Sequence, residues 1–181
     1  MPAPHPPSHT ESSPGAPAAP DDWLALDHQL CFALYAASLA MTKAYKPLLA
    51  PLGLTYPQYL VMLVLWELDG ITVSQLGARL TLDSGTLTPL LKRLAALGLL
   101  QRLRDASDER RVLLRLTEPG RALRAQALAV PQAIVCATAC DLQQIAALAA
   151  QLTTLRGQLN AVLKPAALHP AAATVNLPPR P

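Results

Sequence analysis

Proline placement constrains this chain more than any other feature. Of its 18 prolines, seven lie in residues 1–20 and five in residues 165–181. Proline fixes φ and lacks an N–H, so neither stretch can sustain a helix or a central strand. Neither carries an apolar period, and both read as disordered tails. Folding is confined to about residues 21–164, a length that can bury a real core in a single domain.

Within that segment leucine and alanine dominate. The chain is 51% apolar but has only seven aromatic residues, which favours helices over a β-sandwich. The uncharged run Pro47–Trp66 is long enough to cross a membrane, but Pro47, Pro51, Gly53 and Pro57 interrupt it, so no span is expected. No basic segment precedes an apolar one at the N-terminus, and a cytoplasmic protein is expected. Three cysteines are an odd number and do not make a secreted disulfide framework. High apolar content without a span predicts an oligomer with a large interface.

The pattern predicts a mainly α chain with a small β ribbon. A long helix from Asp21 or Asp22 to about Leu49 carries Leu26, Leu30, Leu34, Ala37 and Met41 at helical spacing, and Pro47 and Pro51 end it. A helix Pro57–Leu68 follows and closes at Asp69-Gly70. Thr72–Leu80 is a short helix with Val73, Leu76, Gly77 and Leu80 on one face, and Thr81-Leu82-Asp83 turns into a helix over about 84–97. Gly98 stops it. Leu99–Arg104 and Arg111–Leu116 flank a polar turn, and the alternation in the second run predicts a ribbon with a basic face. Thr117 caps a helix that runs past Cys136 with a kink near Pro131, and Asp141 with Gln144 caps a last helix to about Leu163. Short helix, turn, helix and basic ribbon in that order make a winged helix-turn-helix over about residues 55–117. The flanking helices, about 21–50 and 118–164, are too apolar for solvated arms and are expected to pack against a second copy.

Charge marks the ribbon region for a polyanion. Residues 79–124 hold ten Lys/Arg against five acids, a local excess of five positive charges. Ser84, Thr86 and Thr88 begin the second helix of the motif, where short hydroxyls and free N–H groups suit phosphates and base edges. Lys92 and Arg93 add charge further along. Ordinary capping and a solvated face explain the helix equally well when it is taken alone. The ribbon decides for DNA. Asp108 stands two residues before Arg110 near the tip, beside Arg111, and a bidentate acid can aim an arginine for minor-groove insertion.

The cysteines raise a second kind of chemistry. Cys31 heads a polar stripe of Tyr35, Ser38, Thr42 and Tyr45 along the first helix. A buried, inert thiol is one reading; a thiolate supported by hydroxyls is the other. Tyr35 is near enough to serve Cys31 within one chain. Tyr45 is not, because 14 residues of helix rise ~21 Å, so it could serve only the Cys31 of another subunit. Cys136 and Cys140 are expected on one helical face, with Cys140 the more exposed. No metal or cofactor is expected: these two thiols lack further ligands at supporting spacing.

Thr55-Tyr-Pro-Gln-Tyr59, Leu82 through Leu94, and Asp108-Glu-Arg-Arg111 together resemble the MarR-type winged-helix repressors. Leu26-Asp-His-Gln-Leu-Cys-Phe-Ala-Leu-Tyr35 is similar to their organic-hydroperoxide-sensing subgroup. The resemblance covers about Leu26 to Leu163. It implies an intertwined helical homodimer on double-stranded, pseudo-palindromic operator DNA. It implies that Cys31 is the reactive thiol, that the partner subunit's Tyr45 and Tyr56 support it, and that Cys136 resolves its sulfenic acid across the dimer. Cys140 is an extra, and His28 stands where the resemblance implies asparagine. The function expected is a redox-switched repressor, not an enzyme, with organic hydroperoxide as effector. Two rivals are a regulator that binds a small lipophilic or aromatic ligand at the interface and a thiol peroxidase. Against the peroxidase, no catalytic arginine or glutamate lies near Cys31, and the basic ribbon would be unexplained.

Overall fold

The computed structural model describes residues 24–104, 108 and 110–163. Asp21, Asp22, both proline-rich tails and turn residues 105–107 and 109 lie outside the described residues. The chain divides between Ala44 and Tyr45 into two compact units.

A 3-10 turn, Leu26–His28, precedes helix α1, Leu30–Leu49. Contrary to the sequence expectation, Pro47 does not end α1 but sits in its last turn. A proline there removes a single N–H and leaves the Lys43 carbonyl, on an exposed face, to water. The stop comes from the 3-10 turn Ala50–Leu52, which contains Pro51 and closes on Gly53 at φ 65°. Among the described residues of α1 only Leu49 is buried.

From Tyr45 onward a winged body forms. Helix α2 is Tyr56–Glu67, with the Thr55 N–H donating to Gln58 Oε1 at 2.8 Å. Strand β1 is Ile71–Thr72, helix α3 Val73–Leu80, helix α4 Ser84–Ala96, strand β2 Leu100–Arg104 and strand β3 Val112–Leu116. The ribbon is therefore a three-stranded antiparallel sheet of order β1-β3-β2. β1 was illegible in sequence because two residues show no alternation. It pairs Ile71 with Leu114 and Thr72 with Leu113.

The core lies between α2 and the helix-turn-helix. Tyr59, Met62 and Leu65 of α2 meet Leu76 of α3, Leu87, Leu91 and Leu94 of α4, and Leu114 of β3, all at 2% exposure or less. Gly77 is needed at the α3–α4 turn, since a Cβ there would lie 2.8 Å from the Leu82 carbonyl oxygen. Gly98, at φ 70°, ends α4 as expected.

Helix α5, Glu118–Ala127, is capped by Thr117, whose Oγ1 accepts the Gly120 N–H at 3.2 Å. Gly120 lies against backbone: a Cβ there would stand 1.9 Å from the Leu99 carbonyl oxygen. Three bonds tie the start of α5 and the end of β3 to the end of α2. Trp66 Nε1 donates to the Gly120 carbonyl at 2.8 Å, and Asp69 accepts from the Leu116 N–H at 2.8 Å and from Arg121 at 3.0 Å.

The single kinked helix expected after Thr117 is two helices, broken at Leu128; α6 is Ala129–Thr138. Pro131 lies three residues past the break and cannot donate to the Ala127 carbonyl. Helix α7, Leu142–Val162, opens on the expected capping box, Asp141 Oδ1 accepting the Gln144 N–H at 2.8 Å. It buries no residue. Among the described residues no single helix is long and apolar enough to cross a membrane.

Candidate nucleic-acid interface and thiol sites

Helix α4 presents its outer face because Leu87, Leu91 and Leu94 hold the inner one. Asp83 caps it: Oδ1 accepts the Thr86 N–H at 2.8 Å, and Thr86 Oγ1 donates to Oδ2 at 2.9 Å. The Thr86 amide, and then its hydroxyl, hold the Asp83 carboxyl below the ordinary carboxylate value. Thr88 Oγ1 donates to the Ser84 carbonyl at 2.7 Å. The hydroxyl protons of Thr86 and Thr88 are thus already engaged, and these two side chains offer lone pairs rather than free donors. Ser84, Lys92 and Arg93 are exposed. At 100° per residue, Gly85, Pro89 and Ala96 also point outward among them. This low surface, which the sequence reading did not single out, lets the helix approach a partner closely.

The wing differs from expectation in two ways. Asp108 does not grip Arg110 with both oxygens. One oxygen, Oδ1, accepts from Arg110 Nε and from the Arg110 N–H, each at 3.1 Å. The guanidinium is still anchored at one corner while its side chain stays 92% exposed. Nor is there one basic face. Register pairs Gln101 with Arg115 and Arg102 with Leu114. Arg115 therefore lies on one face, and Arg102 and Arg104 on the other.

Arg102 has a consequence the alternation of β3 alone could not reveal. With Arg110 and Arg111 it lines a groove of about 500 Å³ against Thr72, Ser74 and Gln75 at the start of α3. These three arginines make the groove positive, a setting that favours an anion.

The thiols lie elsewhere. Cys31 is the second residue of α1 and is exposed, in the first turn, where backbone amides gather positive partial charge. Tyr35 follows one turn later, 61% exposed. Thr42 Oγ1 donates to the Ser38 carbonyl at 2.9 Å, so that part of the stripe is satisfied within the helix. In the other unit Tyr45 and Tyr56 do come together, ring centroids 4.7 Å apart. Tyr59, not foreseen as part of this group, is 5.9 Å from Tyr45 and 6.3 Å from Trp66. Burial first, then Tyr56 and Tyr59, pushes the Tyr45 phenol above the ordinary tyrosine value, so it remains a protonated donor.

Cys136 and Cys140 do not share a helical face. α6 ends at Thr138, and Ala139 at φ 52° turns the chain before Cys140. The expected exposures are reversed. Cys136 is exposed and Cys140 is half-buried, because the Cys140 thiol donates to the Thr138 carbonyl at 3.3 Å. Among the described residues no cluster of three His, Cys, Asp or Glu could hold a metal.

Known proteins are similar to this chain in sequence and fold. Residues 43–126 match the SarA/Rot transcriptional regulator family. The chain is 51% identical over 141 residues to the HTH-type transcriptional regulator TtmR of Methylorubrum extorquens, covering 78% of this chain and 72% of TtmR. It is 54% identical over 114 residues to the organic hydroperoxide resistance transcriptional regulator of Bacillus subtilis, covering 63% of this chain and 78% of that protein. Among solved structures it is similar to AbfR of Staphylococcus epidermidis. The reduced, DNA-bound form matches with TM-score 0.64 at 34% identity over 77% of this chain and 96% of AbfR. The disulfide form matches with TM-score 0.53 at 38% identity over 75% and 95%. The chain belongs to the MarR family of winged-helix transcriptional regulators, in the group that includes the organic hydroperoxide resistance regulators.

Proposed function

We propose that this protein is a homodimeric transcriptional repressor that releases operator DNA when organic hydroperoxide oxidises Cys31. One observation carries the reading: a single chain joins an exposed cysteine in the first turn of α1 to a winged helix with an anchored tip arginine. Two copies pair through the bare apolar faces of the terminal helices. Each α4 enters a major groove through Ser84, Thr86, Thr88, Lys92 and Arg93. Each wing places Arg110 in the adjacent minor groove, held by Asp108, with Arg111 on the backbone. A pseudo-palindromic site follows from the two-fold symmetry.

The switch is the Cys31 thiolate. It attacks the distal oxygen of the hydroperoxide, giving a sulfenic acid and releasing the alcohol. Tyr35 and the partner subunit's Tyr45 and Tyr56 donate hydrogen bonds to the sulfur. The partner subunit's Cys136 then displaces water and forms a disulfide. Its Cα and that of Cys31 must come within ~4.4–6.8 Å of each other. That approach reorients the two winged bodies and breaks the match to the half-sites.

A mobility shift on the chain's own upstream DNA tests this reading. The reduced protein should bind, hydroperoxide should release it, and reductant should restore binding. Cys31→Ser should bind DNA and ignore the oxidant. Release of that variant by hydroperoxide would sink the proposal.

A cavity favours a second reading, a ligand-sensing regulator. About 180 Å³ of space lies among Tyr59, Leu63, Trp66, Leu128 and Pro131 with Glu67 and Arg124 at its edge, a fit for a small lipophilic or aromatic ligand. Release of DNA by such a ligand under reducing conditions, also in Cys31→Ser, would support it.

A further inference from the structure

Cys140 has no part in the switch as described, yet its setting is specific. Cys136 is exposed in the last turn of α6. Ala139, in left-handed backbone, ends that helix, so only Ala137, Thr138 and Ala139 separate the two cysteines in a closed turn. The Cys136 carbonyl accepts the Ala139 N–H at 3.4 Å, and Thr138 Oγ1 donates to the Val135 carbonyl at 2.9 Å. The Cys140 thiol is held on the Thr138 carbonyl, the last carbonyl of α6. On the far side Asp141 is fixed at once by its capping box with Gln144. Two thiols thus sit at one anchored right-angle bend, one open to solvent and one held against the end of the first one's helix.

We propose that Cys140 takes the disulfide over from Cys31, leaving an intrasubunit Cys136–Cys140 bond. This inference rests on the reading in which Cys136 resolves oxidised Cys31 across the dimer. By that stage one hydroperoxide has removed two electrons, and an S–S bond joins Cys136 of one subunit to Cys31 of the partner subunit. The Cys140 thiol releases its proton to solvent and swings off the Thr138 carbonyl. Its thiolate attacks Cys136 Sγ. The Cys136–Cys140 bond forms, the bond to Cys31 breaks, and Cys31 leaves as a thiolate. One S–S bond is exchanged for another, and no further oxidant or reductant enters.

Two features drive the exchange. The attacking thiol is four residues from its target, so its effective concentration is that of a very short loop. The new bond needs only a local adjustment of the turn, whereas the old one holds two subunits in a displaced arrangement. The covalent dimer is then an intermediate rather than the end state. Cys31 is re-armed, but its resolving thiol is now occupied. A first equivalent of peroxide is recorded in the turn, a second takes Cys31 to a sulfenic acid that finds no free resolving thiol, and a third takes that acid to the sulfinic form. The α6–α7 turn becomes a store that distinguishes a brief exposure from a sustained one.

The full-length reduced protein, treated with one equivalent of cumene hydroperoxide, provides the test. Samples are alkylated over time, run on non-reducing gels and digested with trypsin. No Lys or Arg lies between Arg124 and Arg156, so Cys136 and Cys140 fall in one tryptic peptide, separate from that of Cys31. The covalent dimer should rise and then decay. As it decays, the peptide carrying Cys136 and Cys140 should appear two hydrogens lighter and unalkylated, and Cys31 should become alkylatable again. In Cys140→Ser the covalent dimer should accumulate and persist. In Cys31→Ser the lighter peptide should not form. A wild-type covalent dimer that persists with Cys140 alkylatable throughout would overturn the transfer, as would a lighter peptide forming in Cys31→Ser at the wild-type rate. A covalent dimer absent from both wild type and Cys140→Ser would overturn the resolving role of Cys136, and the transfer with it.

Discussion

Helices α2 and α7 are made of similar material and meet opposite fates. Both are rich in apolar residues. α2 buries Tyr59, Val61, Met62, Val64 and Leu65, while α7, nearly twice as long, buries nothing. Leu142, Leu148, Leu152 and Leu159 of α7 stand 40–70% exposed. The difference lies in what surrounds each helix rather than in its composition. α2 is closed in by α3, α4, β3 and α5 of its own chain. α7 carries its own capping box and an apolar stripe but has no such cover. The winged body is therefore a fold completed by one chain, and α7 calls for a second.

Substitution in the two regions should separate these two kinds of stability. Leu91 is fully buried in the winged body. Leu91→Ala should lower unfolding stability by about 2–5 kcal/mol. The loss should be independent of protein concentration, because the cavity lies within one chain. Leu152→Ala in α7 should cost about 1.5–3 kcal/mol per buried side chain, but only where a partner buries it. Its Tm should rise with protein concentration, and sedimentation should show a weakened dimer. If Leu152→Ala left both the dimer and the concentration dependence of Tm untouched, α7 would not be the interface.

Arg110 probes the same body without touching its core. Its side chain is almost fully exposed and pairs with Asp108. Arg110→Ala should leave Tm and dimer intact, weaken operator binding by about 1–3 kcal/mol, and lower the salt slope by ~1 per subunit. Equal affinity and salt slope in wild type and variant would mean that the wing does not reach DNA.

What could be read in the sequence follows the reach of the interactions involved. The caps at Thr117 and Asp141 and the stop at Gly98 were legible because each is a contact within about one turn of chain. So was the pairing of Asp108 with Arg110, though not its single-oxygen geometry, in which Oδ1 also accepts the Arg110 backbone N–H. Strand β1 was hidden because two residues carry no period, and it exists through pairing with Leu113 and Leu114 over forty residues away. Arg102 was missed for the same reason: register places it on the face opposite Arg115, and register is not a local property. Pro47 misled because proline was weighed as a helix breaker, whereas near a C-terminus it removes one bond. Tyr59 joins the tyrosine group only through tertiary packing. The exposures of Cys136 and Cys140 were inverted because a single αL residue, Ala139, resets the direction of the chain.

The smallest effect expected concerns Asp83, where local and tertiary terms separate most cleanly. Its carboxylate is exposed, and its shift comes first from the Thr86 amide and then from the Thr86 hydroxyl. A carboxyl with a lowered folded pKa binds fewer protons in the folded state. Its contribution is fully present above the unfolded value of about 3.9 and is lost as pH falls through the lower folded value. Asp83→Asn keeps an oxygen that can accept the Thr86 N–H and remains a good N-cap. It should converge on wild type only once pH has fallen below the lowered folded value, and fall slightly below it at neutral pH. Asp83→Ala should lose the cap at every pH. Thermal melts of the three proteins across that range give the comparison directly. A Tm profile for Asp83→Asn that runs parallel to wild type from neutral pH to the acid limit of folding would show that the charge of this cap contributes nothing to α4.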